Sequence, residues 1–140
     1  MTGFCLPASA QQDWTNLDSM SEPRYEASVS QYNEDIYVFN GLGAGNIVRS
    51  TIEKFDADTL SWTVVGTTSA ANSTAVTHNG LIRDGNTVWL IGGRIGNSQG
   101  VVSDAVWQYN LDTGEFSAGP ALPVPVKLNL RQAPVLPQLA

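Results

Sequence analysis

Two stretches of this chain superimpose without a gap, and such an internal repeat constrains a fold more than any single residue can. At an offset of 52 residues, Asp35-Ile36-Tyr37-Val38-Phe39-Asn40-Gly41 falls on Thr87-Val88-Trp89-Leu90-Ile91-Gly92-Gly93. Each is a β-branched and aromatic run ending in turn residues, the pattern of a buried strand with a sharp exit. A tight-turn signal precedes each, Asn33-Glu34-Asp35 in the first copy and Asp84-Gly85-Asn86 in the second. Ahead of those turns lie two more strand candidates, Ala27–Tyr32 and His78–Arg83. Farther along the offset becomes 54, and Ile52–Trp62 falls on Val106–Phe116. There an aromatic (Phe55, Tyr109) is followed by Asp or Asn, then Asp-Thr, and a second aromatic (Trp62, Phe116) stands seven positions after the first. Asp-Thr is hairpin chemistry, because the side-chain oxygens capture nearby backbone amides.

Each unit therefore reads as two hairpins separated by a variable Gly-rich loop. Four short antiparallel strands every ~50 residues is the pattern of a propeller blade. On these residues the chain resembles the kelch repeat, whose blades carry a small-residue and Arg start, a hydrophobic strand ending in Gly-Gly, and a Tyr-Asp…Trp hairpin. The first unit supplies Trp14-Thr15-Asn16-Leu17, Met20, Pro23-Arg24, Ile36–Phe39, Phe55-Asp56 and Trp62. The second supplies His78, Val88–Ile91, Gly92-Gly93, Tyr109-Asn110 and Phe116. Asn40-Gly41 departs from Gly-Gly, and Phe55 and Phe116 stand where Tyr and Trp are usual. Asn is the non-glycine residue that best tolerates a left-handed backbone, so Asn40 is a mild departure.

The resemblance implies an all-β fold: a partial β-propeller of two four-stranded antiparallel kelch-type blades, not enough for a closed ring. The expected layout is a leader remnant or disordered stretch over 1–13, blades over 14–62 and 63–118, and the start of a further blade followed by a Pro-rich tail over 119–140. Gly41, Gly92 and Gly93 are expected to take positive φ at the strand exits. The pairs Phe55–Trp62 and Tyr109–Phe116 are expected to pack between neighbouring blades. Arg24 and Glu53 are expected to pair, and Arg94 to face a loop. Open blade faces leave apolar surface and strand edges wet, which implies a piece of a longer protein or self-association through those faces.

Composition narrows the function. Seven Lys+Arg against thirteen Asp+Glu leave no basic patch for nucleic acid. No apolar run reaches the ~20 residues of a membrane-spanning helix. One cysteine excludes a disulfide framework and a cysteine-rich zinc site. Ala8-Ser9-Ala10 has the form accepted by signal peptidase, without the basic and apolar regions that precede it in a complete signal. These residues read as a signal-peptide stub, which implies export, or as an ordinary N-terminal tail, which leaves a cytoplasmic chain.

Several patterns imitate functional motifs. Gly41-Leu42-Gly43-Ala44-Gly45 after a strand resembles a dinucleotide fingerprint, but Asn46 stands where the third glycine belongs, and the matching loop of the second unit lacks the pattern. His78, the only histidine, reads as a packing or turn residue, since a zinc site takes three or four ligands. Asp56, Asp58 and Asp112 read as turn residues. Asn72-Ser73-Thr74 is a glycosylation sequon of little weight, and Arg131-x-x-Pro134-x-x-Pro137 matches a polyproline-ligand spacing.

With no catalytic set assembled, the expectation is a non-catalytic module without a cofactor or metal, presenting loops to a protein or glycan. The contact loops are Leu42–Ser50 and Arg94–Ser103, with Gly43, Asn46, Arg49, Arg94, Asn97 and Gln99 as candidate binding residues. The alternative is a fragment of an exported kelch-propeller carbohydrate-active enzyme, galactose-oxidase-like or sialic-acid-processing, with its catalytic residues outside this chain.

Overall fold

The computed structural model describes residues 15–127. The Ala8-Ser9-Ala10 stub, Cys5, Trp14 and the Arg131–Pro137 spacing lie outside the described residues. Among the described residues ten strands run in order: β1 Ser28–Tyr32, β2 Asp35–Phe39, β3 Thr51–Asp56, β4 Ser61–Thr67, β5 Val76–Thr77, β6 Gly80–Asp84, β7 Thr87–Ile91, β8 Arg94–Ile95, β9 Val106–Asn110 and β10 Phe116–Ala118. They form two four-stranded antiparallel sheets, β1-β2-β3-β4 and β6-β7-β9-β10, and a small sheet of β5 with β8. None closes into a barrel, so the described residues form a partial propeller of two open blades. A single turn of 3-10 helix at Ala44–Asn46 is the helical element among them, and no α-helical crossover follows Phe39.

The repeat holds down to single hydrogen bonds. β1 and β2 fall on β6 and β7 at the 52-residue offset, and residues 52–56 of β3 fall on β9 at the 54-residue offset. Even the connections agree. Tyr25 bridges Leu42 as Thr77 pairs with Arg94, and Leu42 bridges Val48 as Arg94 bridges Val102. The Arg49 amide donates to Gly41 O and the Ser103 amide to Gly93 O, each at 2.8 Å. Thr68 N–Ser50 O and Leu122 N–Asp104 O, at 2.7 and 2.8 Å, are likewise equivalent.

Strand starts differ slightly from the sequence reading. Glu26 and His78 occupy equivalent positions and both have φ of 54°, a left-handed kink that strand geometry excludes. The first strands of the two units therefore begin only at Ser28 and Gly80, and Val76–Thr77 is split off as a separate strand. The strand exits behave as expected: Asn40 and Gly41 have φ of 54° and 88°, and Gly92 and Gly93 have 62° and 103°. A Cβ at Gly93 would stand 2.8 Å from Thr77 O, so this position also needs glycine for space.

The principal core lies between the two large sheets. Tyr37, Phe39 and Ile52 from the first meet Val88, Leu90 and Tyr109 from the second, with Leu111 below. Tyr109 sits edge-on to Phe39 at 5.4 Å and against Phe116 at 4.9 Å, so the Tyr109–Phe116 pair packs between the blades. The Phe55–Trp62 pair, 5.2 Å apart, does not join it. Strand register puts Ile36, Val38, Glu53, Phe55, Trp62 and Val64 on the face of the first sheet turned away from the second. In the second sheet the equivalent face, with Val88, Leu90, Tyr109 and Phe116, rests on the first. One side of the blade is thus built for contact in both units, and only the second has its neighbour among the described residues. Val29 and Val64 are about half exposed on that outward face of the first sheet, as is Ile82 on the outward face of the second.

Candidate functional site

The strand exits at Asn40-Gly41 and Gly92-Gly93 open at the same rim of the molecule, and the two variable loops rise from them. In the first loop the Gly43 amide donates to Ile47 O at 2.9 Å and the Asn46 amide donates back to Gly43 O at 3.1 Å, closing the 3-10 turn. Asn46 completes it at φ 57°. The guanidinium of Arg49 lies over Gly43, so close that a Cβ there would fall 1.9 Å from Arg49 Nε and displace the side chain. Arg49 in turn pairs with Glu22 at 3.5 Å. In the second loop Arg94 Nη1 donates to Gly100 O at 2.7 Å and braces its own turn.

The two loops are joined by backbone. Val48 N donates to Gly96 O at 2.9 Å, and Ser98 N to Asn46 O at 3.1 Å, around the bridge of Ile47 with Asn97. Gly96 N reaches Ala75 O at 2.9 Å, and Leu42, Val48 and Ala75 form a small buried cluster beneath. Sequence reasoning places the loops separately; the structure makes them one surface.

Of the six candidate binding residues, Asn46, Asn97 and Gln99 come together around a shallow cleft of about 360 Å³, with Ser98 and Ile47 beside them. Gly43 and Asn46 line an adjoining cleft of about 410 Å³ with Pro23, Tyr25, Leu42 and Ala44. Arg49 and Arg94 are engaged within the scaffold. Sequence reasoning misses Tyr25, Ile47 and Val101, which are 48%, 58% and 76% exposed at the loops and their base. The signal for the last two is an aliphatic pair inside a polar, Gly-rich loop, Ile47-Val48 and Val101-Val102, of which the first member of each is exposed.

The expected structural residues hold the rim from below. Arg24 and Glu53 form an ion pair with side chains 2% and 1% exposed. Arg24 Nη1 also donates to Asn40 O at 3.0 Å and Thr51 O at 2.8 Å, and Ser21 N and Oγ both donate to the Glu53 carboxylate at 2.8 Å. Burial lowers the Arg24 pKa from its ordinary value, against the opposing pull of Glu53. At the equivalent positions the second unit has Val76 and Trp107, an apolar replacement of the pair. Asn40 does more than tolerate its backbone: its Nδ2 donates to Thr74 O at 3.3 Å and its Oδ1 accepts from Thr68 Oγ1 at 2.9 Å, tying the first strand exit to the start of the second unit.

His78 bridges the units at the same rim. Its Nε2 lies 3.6 Å from Glu26 Oε2 and its Nδ1 lies 3.2 Å from Thr77 Oγ1. Hydroxyl, imidazole and carboxylate in a row resemble a nucleophile with its base, but Thr77 is buried at 1% exposure and no substrate atom reaches it. Among the described residues no three His, Cys, Asp or Glu side chains gather as a metal-binding group.

Comparison with known proteins bears on the same repeat. Kelch-like protein 34 of Homo sapiens is 30% identical over 90 residues, 64% of this chain and 14% of that protein. A kelch repeat-containing protein of Arabidopsis thaliana is 28% identical over 83 residues, 59% of this chain and 19% of that protein. The repeat is of kelch type. The chain thus spans less than a fifth of the length of either kelch relative, and no family model matches it. The kelch reading explains the shared register of the two sheets and the Asn40-Gly41 and Gly92-Gly93 exits from which the loops spring.

Proposed function

We propose that the chain is a non-catalytic kelch-type module that binds another protein through the rim built by residues 42–50 and 94–103. The observation that carries this reading is the backbone joining of the two loops through Val48–Gly96 and Ser98–Asn46. A surface already ordered loses little conformational freedom on association, which is the usual cost of binding through loops. Exposed Tyr25, Ile47 and Val101 stand on it as apolar anchors beside amide side chains, the mixture of apolar contact and polar orientation that protein interfaces use. Aliphatic anchors favour a protein over a glycan, which offers them little apolar surface. The enzyme-fragment alternative puts its chemistry outside this chain, and no described side chain favours it.

The test is a quantitative affinity capture from the source organism with the wild-type chain and with an Ile47→Ser/Val101→Ser variant. Proteins enriched by the wild type and lost with the variant, at unchanged thermal midpoint, support the reading. A partner captured equally by both, or equally after both loops are replaced by Gly-Ser turns, refutes it.

A further inference from the structure

The two rim clefts meet along one hydrogen bond, in which the Tyr25 hydroxyl donates to Asn46 Oδ1. On one side the lining is largely apolar: Pro23, Leu42, Ala44 and the Tyr25 ring. On the other it is amide and hydroxyl: Asn46, Asn97, Ser98 and Gln99. The bond also orients the Asn46 carboxamide, since with its oxygen engaged by Tyr25 the group it turns outward is the Nδ2 amide. Asn97 is fixed the same way, because its Oδ1 accepts from the Gln99 backbone amide at 2.8 Å. Among the described residues neither Nδ2 has a hydrogen-bond partner. The polar cleft therefore presents two oriented donors from two different loops, held at a fixed spacing by the Ile47–Asn97 bridge.

Donors select acceptors. A cationic group finds no acceptor in this pair and is disfavoured. An anionic group is also poorly served, because Arg49 is paired with Glu22, Arg94 is tied to Gly100 O, and the chain carries a net charge of -6. What remains is a neutral acceptor next to an apolar group. An extended peptide supplies both, with side chains alternating across the strand and carbonyls projecting sideways.

Building on the reading of the rim as a protein-binding surface, we propose that it takes an uncharged, extended peptide segment. An apolar side chain fills the Pro23–Leu42 cleft, and neighbouring carbonyl oxygens, from the backbone or from Asn and Gln side chains, accept from Nδ2 of Asn46 and Asn97. Tyr25 is the specificity element: its ring walls the apolar cleft while its hydroxyl sets the direction of the amide on the other side.

The test selects a random dodecapeptide phage library on the full chain and measures the affinity of enriched synthetic peptides by fluorescence polarisation. The decisive variant is Asn46→Asp/Asn97→Asp, which keeps both shapes and both engaged oxygens and exchanges the outward donors for ionised acceptor oxygens. The expected result is a consensus of an apolar residue beside uncharged residues, with affinity falling about tenfold or more in the Asp variant as two hydrogen bonds are lost. Thermal stability stays unchanged. Peptides that bind the Asp variant equally but lose binding when the loops are replaced overturn this inference and leave the rim reading standing. Peptides indifferent to both changes overturn both. An acidic or basic consensus, no enrichment over a bare surface, or binding of free oligosaccharides that the Asp variant abolishes overturns the peptide assignment.

Discussion

Glu53→Ala leaves the Arg24 guanidinium buried without its counter-charge. Glu53 is 1% exposed and accepts from Arg24, from Ser21 N and Oγ at 2.8 Å each, and from Thr51 Oγ1 at 3.3 Å. After the substitution Arg24 keeps only its bonds to Asn40 O, Thr51 O and the Thr51 hydroxyl. Breaking such a pair from one side costs about 3–5 kcal/mol, a large share of the roughly 5–15 kcal/mol that holds a domain folded. Replacing both partners by apolar groups of similar size avoids the stranded charge. The double variant Arg24→Met/Glu53→Leu is therefore expected to recover about 2 kcal/mol or more of the single loss. The second unit already has an apolar arrangement, Val76 with Trp107, at these positions. Urea denaturation followed by tryptophan fluorescence gives both free energies by linear extrapolation. A Glu53→Ala loss below about 1 kcal/mol, or a double variant as unstable as the two single losses added, refutes the reasoning.

Three further outcomes follow from the geometry. Tyr109→Ala removes the ring that joins the two sheets and is expected to cost about 3–5 kcal/mol and to unfold both units in one transition; separate transitions would show that the sheets do not support each other. Asn40→Gly keeps the left-handed backbone and loses the links to Thr68 and Thr74, whereas Asn40→Ala loses both and adds about 1–2 kcal/mol of strain, so Ala is expected to be the worse substitution in the same urea assay. Asp56 is held below its ordinary value of 3.8, chiefly by the backbone amide of Thr59 and then by its hydroxyl. A carboxylate so lowered stabilises the fold above its unfolded pKa and loses that contribution as pH falls through the folded value. Asp56→Asn is therefore expected to narrow the stability difference from wild type on going from pH 7 to below pH 3.8; an undiminished difference would contradict it.

Much of the scaffold is legible in the chain because its local signals agree with one another. The β-branched runs at Ile36–Phe39 and Val88–Ile91, the turn residues before them and the aromatic pairs all repeat in one register, and each is confirmed as strand, turn or packed pair. Asn40 illustrates the limit. Its tolerance of positive φ follows from the residue type, but its two side-chain bonds depend on Thr68 and Thr74, which only the tertiary fold brings near. The outward placement of Phe55 and Trp62 has the same origin, since period-two alternation gives two faces without saying which one meets a neighbour. The site was legible in part. Loop length and polarity single out Asn46, Asn97 and Gln99, which the fold gathers around one cleft, while Arg49 and Arg94 attract notice by charge and are held by Glu22 and Gly100 O. The joining of the loops is written in backbone hydrogen bonds, which carry no side-chain signature.

Amide hydrogen exchange at Val48 and Ser98 tests the joined rim most directly. If the two loops form one ordered surface, both amides are protected to the level of the flanking strands, because each donates across the loop boundary at 2.9 and 3.1 Å. Exchange at the rate of an open loop at either residue would contradict it.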